Sequence, residues 1–83
     1  MGLKLFKIWQ EVNNTWDTYD SAVVVAENEY DAVMINPDVN KQDWNGRANY
    51  DWCDIKDVNV ICIGDAIGDL KAGDVVVASF NAG

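Results

Sequence analysis

The side chains that most often perform catalysis are scarce in this sequence of 83 residues. Histidine is absent, so these residues supply neither a Ser–His or Cys–His nucleophile nor an imidazole acid or base. Cys53 and Cys62 are the only thiols, and their spacing fits no zinc motif. Asp51, Asp54 and Asp57 lie near Cys53 in the sequence, and we expect their negative charge to raise its pKa and to keep it unreactive.

Carboxylates are the next groups that could do chemistry, because fourteen residues are acidic. The stretch Asp38–Asp43 begins like a calcium-binding EF-hand loop. However, Asp43 stands where that loop requires glycine, and Asn49 stands where it requires the closing glutamate. A pair such as Asp17 and Asp20 could act as acid and base on a sugar, but a chain of this size leaves no cleft for a polysaccharide. We therefore expect no enzyme activity, no metal and no cofactor.

The sequence favours a binding function. Two stretches mix aromatic and charged side chains, as interface hot spots do. We predict a binding surface made of Trp16, Asp17, Tyr19, Asp20, Trp44, Arg47, Tyr50 and Trp52. One alternative is that the aromatic residues of the second stretch fold back as a lid over the core. The other is that the aromatics and Arg47 line a pocket in which a nucleotide base stacks.

The formal net charge of −8 limits the class of partner. Nucleic acids and anionic membrane surfaces require a basic footprint, so we expect neither as a direct partner. An acidic domain can instead dock on a basic protein surface, or its charge can simply maintain solubility. The sequence shows no signal peptide and no apolar run long enough to span a membrane, which predicts a cytoplasmic location.

Hydrophobic patterning predicts the elements that position these residues. Strands are expected over Leu3–Val12, Asp20–Ala26, Asp57–Ile63 and Asp74–Phe80. A helix is expected from about Asn28, which can cap it, to Ile35, because Pro37 forces the preceding residue out of helical geometry. The dipeptide Asn45-Gly46 predicts a type I′ turn that could join a small hairpin.

This order of elements, β-β-α-β-β, predicts a single α+β domain over residues 1–83. We expect a small mixed four-stranded sheet with one helix on one face. The second and third strands would be parallel if they were neighbours, and the outer connections would be antiparallel.

Counting sheet faces raises a further question. All four strands are apolar on both sides, yet a helix of about eight residues covers only one side. The other face must be covered by the segments Pro37–Asp57 and Gly64–Gly73, by a second copy of the chain, or by a target protein. Homodimerisation through that face is the explanation we prefer.

Several segments together resemble a family of short phage and prophage proteins of about this length. They are LFKIWQEVNN near the start, DTYDSAVVVAENE, DVNVICIGDA and the ending VVVASFNAG. The sequence departs from that family at Glu29–Asn36, where family members carry a more charged helix. The resemblance implies a small accessory protein made in the cytoplasm of an infected bacterium.

Three functions are consistent with these observations. The first is a counter-defence protein of the anti-CRISPR kind, which binds and inhibits a host defence protein by occluding a basic surface. The second is a sponge that sequesters a nucleotide immune signal in an aromatic pocket. The third is a structural or housekeeping protein of a phage.

Overall fold

The computed structural model describes residues 2–13 and 15–82, so that Asn14, between the first two predicted strands, lies outside the described residues. The elements are β1 (Lys4–Trp9), β2 (Thr18–Ala26), α1 (Glu29–Val33), a single-turn 3₁₀ helix (Ile55–Asp57), β3 (Asn59–Asp65) and β4 (Val75–Asn81). Each strand overlaps its predicted segment, and its ends differ from the prediction by a few residues. Among the described residues, no helix is both long enough and apolar enough to cross a membrane.

The four strands form one sheet in the order β3-β1-β2-β4, and every hydrogen-bonded pair is antiparallel. The α+β class is therefore supported, but the predicted arrangement of a mixed sheet is wrong. The strands β2 and β3 do run in the same direction. They are not neighbours, however, because β1 lies between them and pairs with β2 on one edge and β3 on the other.

One face of the sheet is covered. Its core contains Phe6 and Ile8 from β1, Ala22, Val24 and Ala26 from β2, Ala32 and Ile35 in and after α1, and Trp52 and Cys53 from the segment before β3. The helix α1 has only five residues, which is about 7.5 Å of rise, so it covers only part of this face. The remainder is covered by the long segment between α1 and β3, residues 34–58.

Asn28 caps α1 as the sequence predicts. Its backbone is extended and its side chain accepts a hydrogen bond from the Asp31 backbone N–H at 2.9 Å. The helix is shorter than predicted, because it ends at Val33 rather than Ile35. Glu29 and Asp31 lie in its first turn, where negative charge is favourable.

The predicted turn at Asn45-Gly46 is present, but the hairpin around it is not. Both residues have positive φ, 61° and 74°, as a type I′ turn requires, and the Arg47 N–H donates to the Trp44 carbonyl oxygen at 3.3 Å. The flanking residues do not pair as strands. Instead, the Ile55 N–H donates to the Gly46 carbonyl oxygen at 2.9 Å, which folds the chain back upon the turn.

The opposite face of the sheet, here called the open face, carries the other alternate side chains of each strand. By register these are Leu5, Lys7, Trp9, Ser21, Val23, Val25, Asn59, Ile61, Val77 and Ser79. The connection from β3 to β4 crosses one end of the sheet, where the Ala66 N–H donates to Leu3 and the Gly73 N–H donates to Val25. Val25 is fully buried at that end, whereas Ile61 and Val77 remain exposed.

Candidate binding surface

The structure separates the predicted surface residues into three groups. Trp16, Asp17, Tyr19 and Asp20 lie at the end of the sheet where β1 leads into β2. Tyr50 lies on a turn that is hydrogen-bonded to this loop. The remaining residues, Trp44, Arg47 and Trp52, lie elsewhere in the segment 34–58 or in the core beneath it.

Trp52 is not available as a surface anchor, because none of its area is exposed. Its indole occupies the part of the covered face that the short helix α1 leaves uncovered. Trp44 is half-buried, packs against the core, and donates its Nε1–H to the Met34 carbonyl oxygen at 2.9 Å. For these two tryptophans the lid alternative is therefore the one observed. Sequence reasoning could not decide this, since a buried and an exposed tryptophan look alike in an irregular segment.

Arg47 follows the Asn45-Gly46 turn and is exposed. Its neighbour Ala48 donates its backbone N–H to Asp54 Oδ1 at 2.5 Å, which places this stretch beside the 3₁₀ helix. The described contacts do not join Arg47 to the loop that carries Trp16.

A buried glutamine holds the β1–β2 loop in shape. Gln10 is 3% exposed, and its Oε1 accepts the backbone N–H groups of Val12 at 2.9 Å and Asn13 at 2.6 Å. Its Nε2 donates to the Asn13 carbonyl oxygen and, at 3.0 Å, to the Tyr19 carbonyl oxygen. One side chain thus ties both ends of the loop together. The sequence gives no signal for this role, because a polar residue next to a strand is usually exposed.

This loop is joined to the turn at residues 49–52. Asn13 Nδ2 donates to the carbonyl oxygens of Asn49 at 3.0 Å and Trp52 at 3.2 Å. The Tyr19 N–H donates to the Asp51 carbonyl oxygen at 2.9 Å. The turn itself is closed by Asn49 Oδ1, which accepts the N–H groups of Asp51 and Trp52. Residues far apart in sequence therefore form one continuous end of the molecule.

We call this region the loop end and define it by its exposed side chains: Glu11, Val12, Trp16, Asp17, Asp20 and Tyr50. Trp16 and Tyr50 are 72% and 76% exposed, which leaves two large aromatic rings in solvent. Three of the other four residues are acidic. Sequence reasoning missed Glu11 and Val12 as surface residues, because the apolar pattern extends the first predicted strand through them.

Lys41 lies next to Tyr50 and between two aspartates. Lys41 Nζ lies 2.8 Å from Asp51 Oδ2 and 3.7 Å from Asp38 Oδ2, and it donates to Tyr50 Oη at 3.2 Å. The ammonium also lies 4.3 Å from the centre of the Tyr50 ring. The hydrogen bonds to Asp51 and Tyr50 raise the pKa of Lys41 above its usual value. This cation is thus paired with two carboxylates, Asp51 and Asp38, that are not part of the loop end.

Tyr19 lies at the boundary between the loop end and the covered face. Its ring meets that of Phe80 edge to face at 4.9 Å, and it packs against the core. Burial raises the pKa of Tyr19, and the nearby carboxylates of Asp38 and Asp51 raise it further. Tyr19 therefore remains neutral and supports the loop end from beneath.

The pKa of Cys53 is raised, as the sequence predicts, but burial is the main cause and the acidic neighbours add to it. Burial, with the charges of Asp57 and Asp54, raises the pKa of Cys53 to about 11, so this thiol is a poor nucleophile at neutral pH. Cys62 is exposed on β3. Within residues 2–13 and 15–82, no group of three or more acidic, cysteine or histidine side chains is arranged to hold a metal ion.

Comparisons with protein-family models, with curated proteins and with solved structures give no match for this chain.

Proposed function

We propose that the protein is a non-enzymatic binding protein that docks through its loop end on a basic surface of another protein. The observation that carries this proposal is the joining of the β1–β2 loop to the turn at residues 49–52, which presents exposed Trp16 and Tyr50 among acidic side chains. Exposed aromatic rings supply contact area at low entropic cost, and the surrounding charge steers a partner of opposite sign.

The hydrogen bonds beneath this surface support the same function. The buried Gln10 hydrogen-bonds the backbone of Val12 and Asn13, and Asn13 hydrogen-bonds the turn that carries Tyr50. A surface that is ordered before binding loses less conformational entropy when the partner arrives. The overall charge of −8 extends the attraction beyond the contact itself.

The phage setting that the sequence resemblance implies would make the partner a host defence protein, for example a CRISPR effector. Such proteins carry basic surfaces that grip nucleic acid, and an acidic protein that covers one of them inhibits the effector. The nucleotide-sponge alternative is less well supported, because Trp52 is buried and the Trp44 indole N–H is already donated to Met34.

A capture experiment with matched variants tests the proposal. The protein is immobilised, bacterial host lysate is passed over it, and retained proteins and small molecules are both identified. We expect a basic protein to be retained by the wild type and released as salt is raised, because screening shortens the range of charge attraction to about 10 Å at 0.1 M.

The matched control is Tyr30→Ala, since Tyr30 is an exposed aromatic on α1 and lies outside the loop end. We expect Trp16→Ala and Tyr50→Ala to lose the retained protein and Tyr30→Ala to keep it. Retention that is equal in all variants, or recovery of a nucleotide in place of a protein, would contradict the proposal.

A further inference from the structure

Two rows of side chains cross the open face from edge to edge. The first, the Lys7 row, contains Ile61, Lys7, Val23 and Val77, which are register partners on the four strands. The second, the Trp9 row, contains Asn59, Trp9, Ser21 and Ser79. Lys7 is the only charged residue in either row, although a quarter of the chain is charged. Depletion of charge is typical of the centre of an interface.

The large and small residues of these rows are distributed unevenly. Large side chains lie on the half of the sheet formed by β3 and β1, where Ile61 is 52% exposed and Trp9 is half-buried. Small ones lie on the half formed by β2 and β4, where Ser21, Val23, Val77 and Ser79, together with Lys7 of β1, help to line a groove of about 130 Å³. In these two rows, one half of the face therefore carries larger side chains than the other.

This asymmetry makes the open face complementary to itself. We propose that a second copy of the chain covers the open face, with the two sheets stacked about an axis that runs along the strands. That rotation places β3 of one copy over β4 of the other and β1 over β2. Ile61 then meets Val77, Trp9 meets Ser21, and Asn59 meets Ser79. Each contact occurs twice, as an isologous dimer requires.

The area of the face limits the strength of this interface. Four strands span about 19 Å across and about 20 Å along the sheet, a flat footprint of about 400 Å² before side-chain relief is counted. Specific interfaces take about 800 Å² of accessible surface from each partner, and weaker ones take less. The open face is thus smaller than a standard interface, and we expect a weak dimer that dissociates at micromolar concentrations.

The edges of the sheet are less suited to association. The pairing of β4 with β2 shifts register between Val23 and Val24, where Val76 is the extra residue. The pairing of β3 with β1 shifts between Leu5 and Phe6, where Ile63 is the extra residue. Bulges of this kind interrupt the regular ladder that a further strand would need. Face-to-face packing requires no such ladder.

Lys7 is the residue that weakens the proposed dimer. Its ammonium lies 5.4 Å from the centre of the Trp9 ring, so it runs along the sheet toward the Trp9 row. In the stacked dimer it meets Val23 of the other copy and gains no acidic partner. Replacing it with leucine should therefore strengthen association, because burying an unpaired charge is costly. An acidic target protein on this face would produce the opposite result.

Sedimentation equilibrium of the full chain over micromolar concentrations tests the proposal. We expect the wild type to approach twice the mass of the chain. In a Lys7→Leu background, Ile61→Glu alone and Val77→Lys alone should each be monomeric, because each then buries an unpaired charge twice. Mixed together, they should form a heterodimer, since one of the two contacts then pairs the introduced carboxylate with the introduced ammonium and the other remains the native Ile61–Val77 contact. Lys7→Leu should lower the dissociation constant by about tenfold or more.

The control for this mixing experiment is Val39→Lys. Val39 is 63% exposed and Val77 is 59% exposed, but Val39 lies in the segment 34–58 and not on the open face. Val39→Lys should dimerise like the wild type. Circular dichroism confirms that each variant is folded. A wild type and Lys7→Leu that both stay monomeric, or mixed variants that do not associate, would overturn the proposal. These outcomes are independent of the loop end, because Trp16 and Tyr50 are unchanged.

Discussion

The two faces of the sheet differ sharply in what covers them, although both carry apolar side chains. On the covered face, α1 and the segment 34–58 bury Phe6, Ile8 and Val24 completely or nearly so. On the open face, Ile61 of β3 and Val77 of β4 are each more than half exposed. Apolar character in a strand therefore indicates that a face needs covering, but it does not identify what covers it.

This difference also explains the role of Trp52 in closing the covered face. A helix of five residues cannot seal a sheet whose strands have six to nine residues. The irregular segment 34–58 closes the gap with one large indole. On the open face, the connection between β3 and β4 reaches only the end at Leu5 and Val25. The remaining rows have no covering segment among the described residues.

The largest expected effect is on the covered face. Trp52→Ala should lower the free energy of unfolding by about 3–5 kcal/mol, because it removes the largest fully buried side chain and leaves a cavity. Urea denaturation measures this change. Trp16→Ala is the matched control and should change stability by less than about 0.5 kcal/mol. Equal losses at both positions would mean that Trp52 does not close the covered face.

A smaller loss is expected where the loop end meets the covered face. Gln10→Ala should lower stability by about 2–3 kcal/mol, because backbone groups of Val12, Asn13 and Tyr19 lose their buried partner. The same variant should weaken capture of a partner in the lysate experiment, since the loop is no longer ordered. A variant with wild-type stability would show that Gln10 does not hold the loop.

A matched pair of valines compares the two faces directly. Val24 is fully buried on the covered face, and Val77 is exposed on the open face. Val24→Thr should cost about 1–3 kcal/mol, because it buries a hydroxyl in an apolar site. Val77→Thr should cost less than about 0.5 kcal/mol when unfolding is measured at a concentration where the chain is monomeric. A reversed order would contradict the assignment of the two faces.

The reactivity of the two cysteines compares a buried position with an exposed one. Iodoacetamide at pH 8 should label exposed Cys62 in the folded protein and should label Cys53 only after unfolding, as peptide mapping by mass spectrometry would show. The folded pKa of Cys53 is raised to about 11 from an ordinary value near 9. The unfolded chain thus releases this proton first, and stability should fall as pH rises from about 9 to about 11.

A Cys53→Ala variant isolates this pH dependence. Its stability should lack the part of the decline between about pH 9 and about pH 11 that the buried thiol causes. Labelling of both cysteines at similar rates in the folded protein would show that Cys53 is not protected by the segment 34–58.

Local signals in the sequence predicted much of the fold. The apolar alternation indicated the approximate strands, Asn28 was identified as a helix cap, and Asn45-Gly46 was identified as a turn. These features depend on residues close in sequence. The position of β1 between β2 and β3 was not predicted, because strand pairing depends on contacts between residues such as Phe6 and Cys62, which are far apart in the chain.

The candidate binding surface was predicted less completely, for a related reason. Trp16, Asp17, Asp20 and Tyr50 are exposed at the loop end, but Trp52 is buried. The two stretches that supply the surface are brought together by Asn13, through bonds to residues more than thirty positions away. A local pattern of aromatic and charged residues indicates that a surface is suited to binding. It does not determine which of those residues the fold exposes.

The most direct test of the contrast between the two faces is an isotope-filtered NOE experiment on a mixture of labelled and unlabelled chains. It detects contacts between copies only. Our account predicts contacts from the Ile61 methyl groups of one copy to the Val77 methyl groups of the other, and none from Ile35 beneath the covered face. Contacts between copies that arise at other surfaces, or none at concentrations up to the millimolar range, would contradict it.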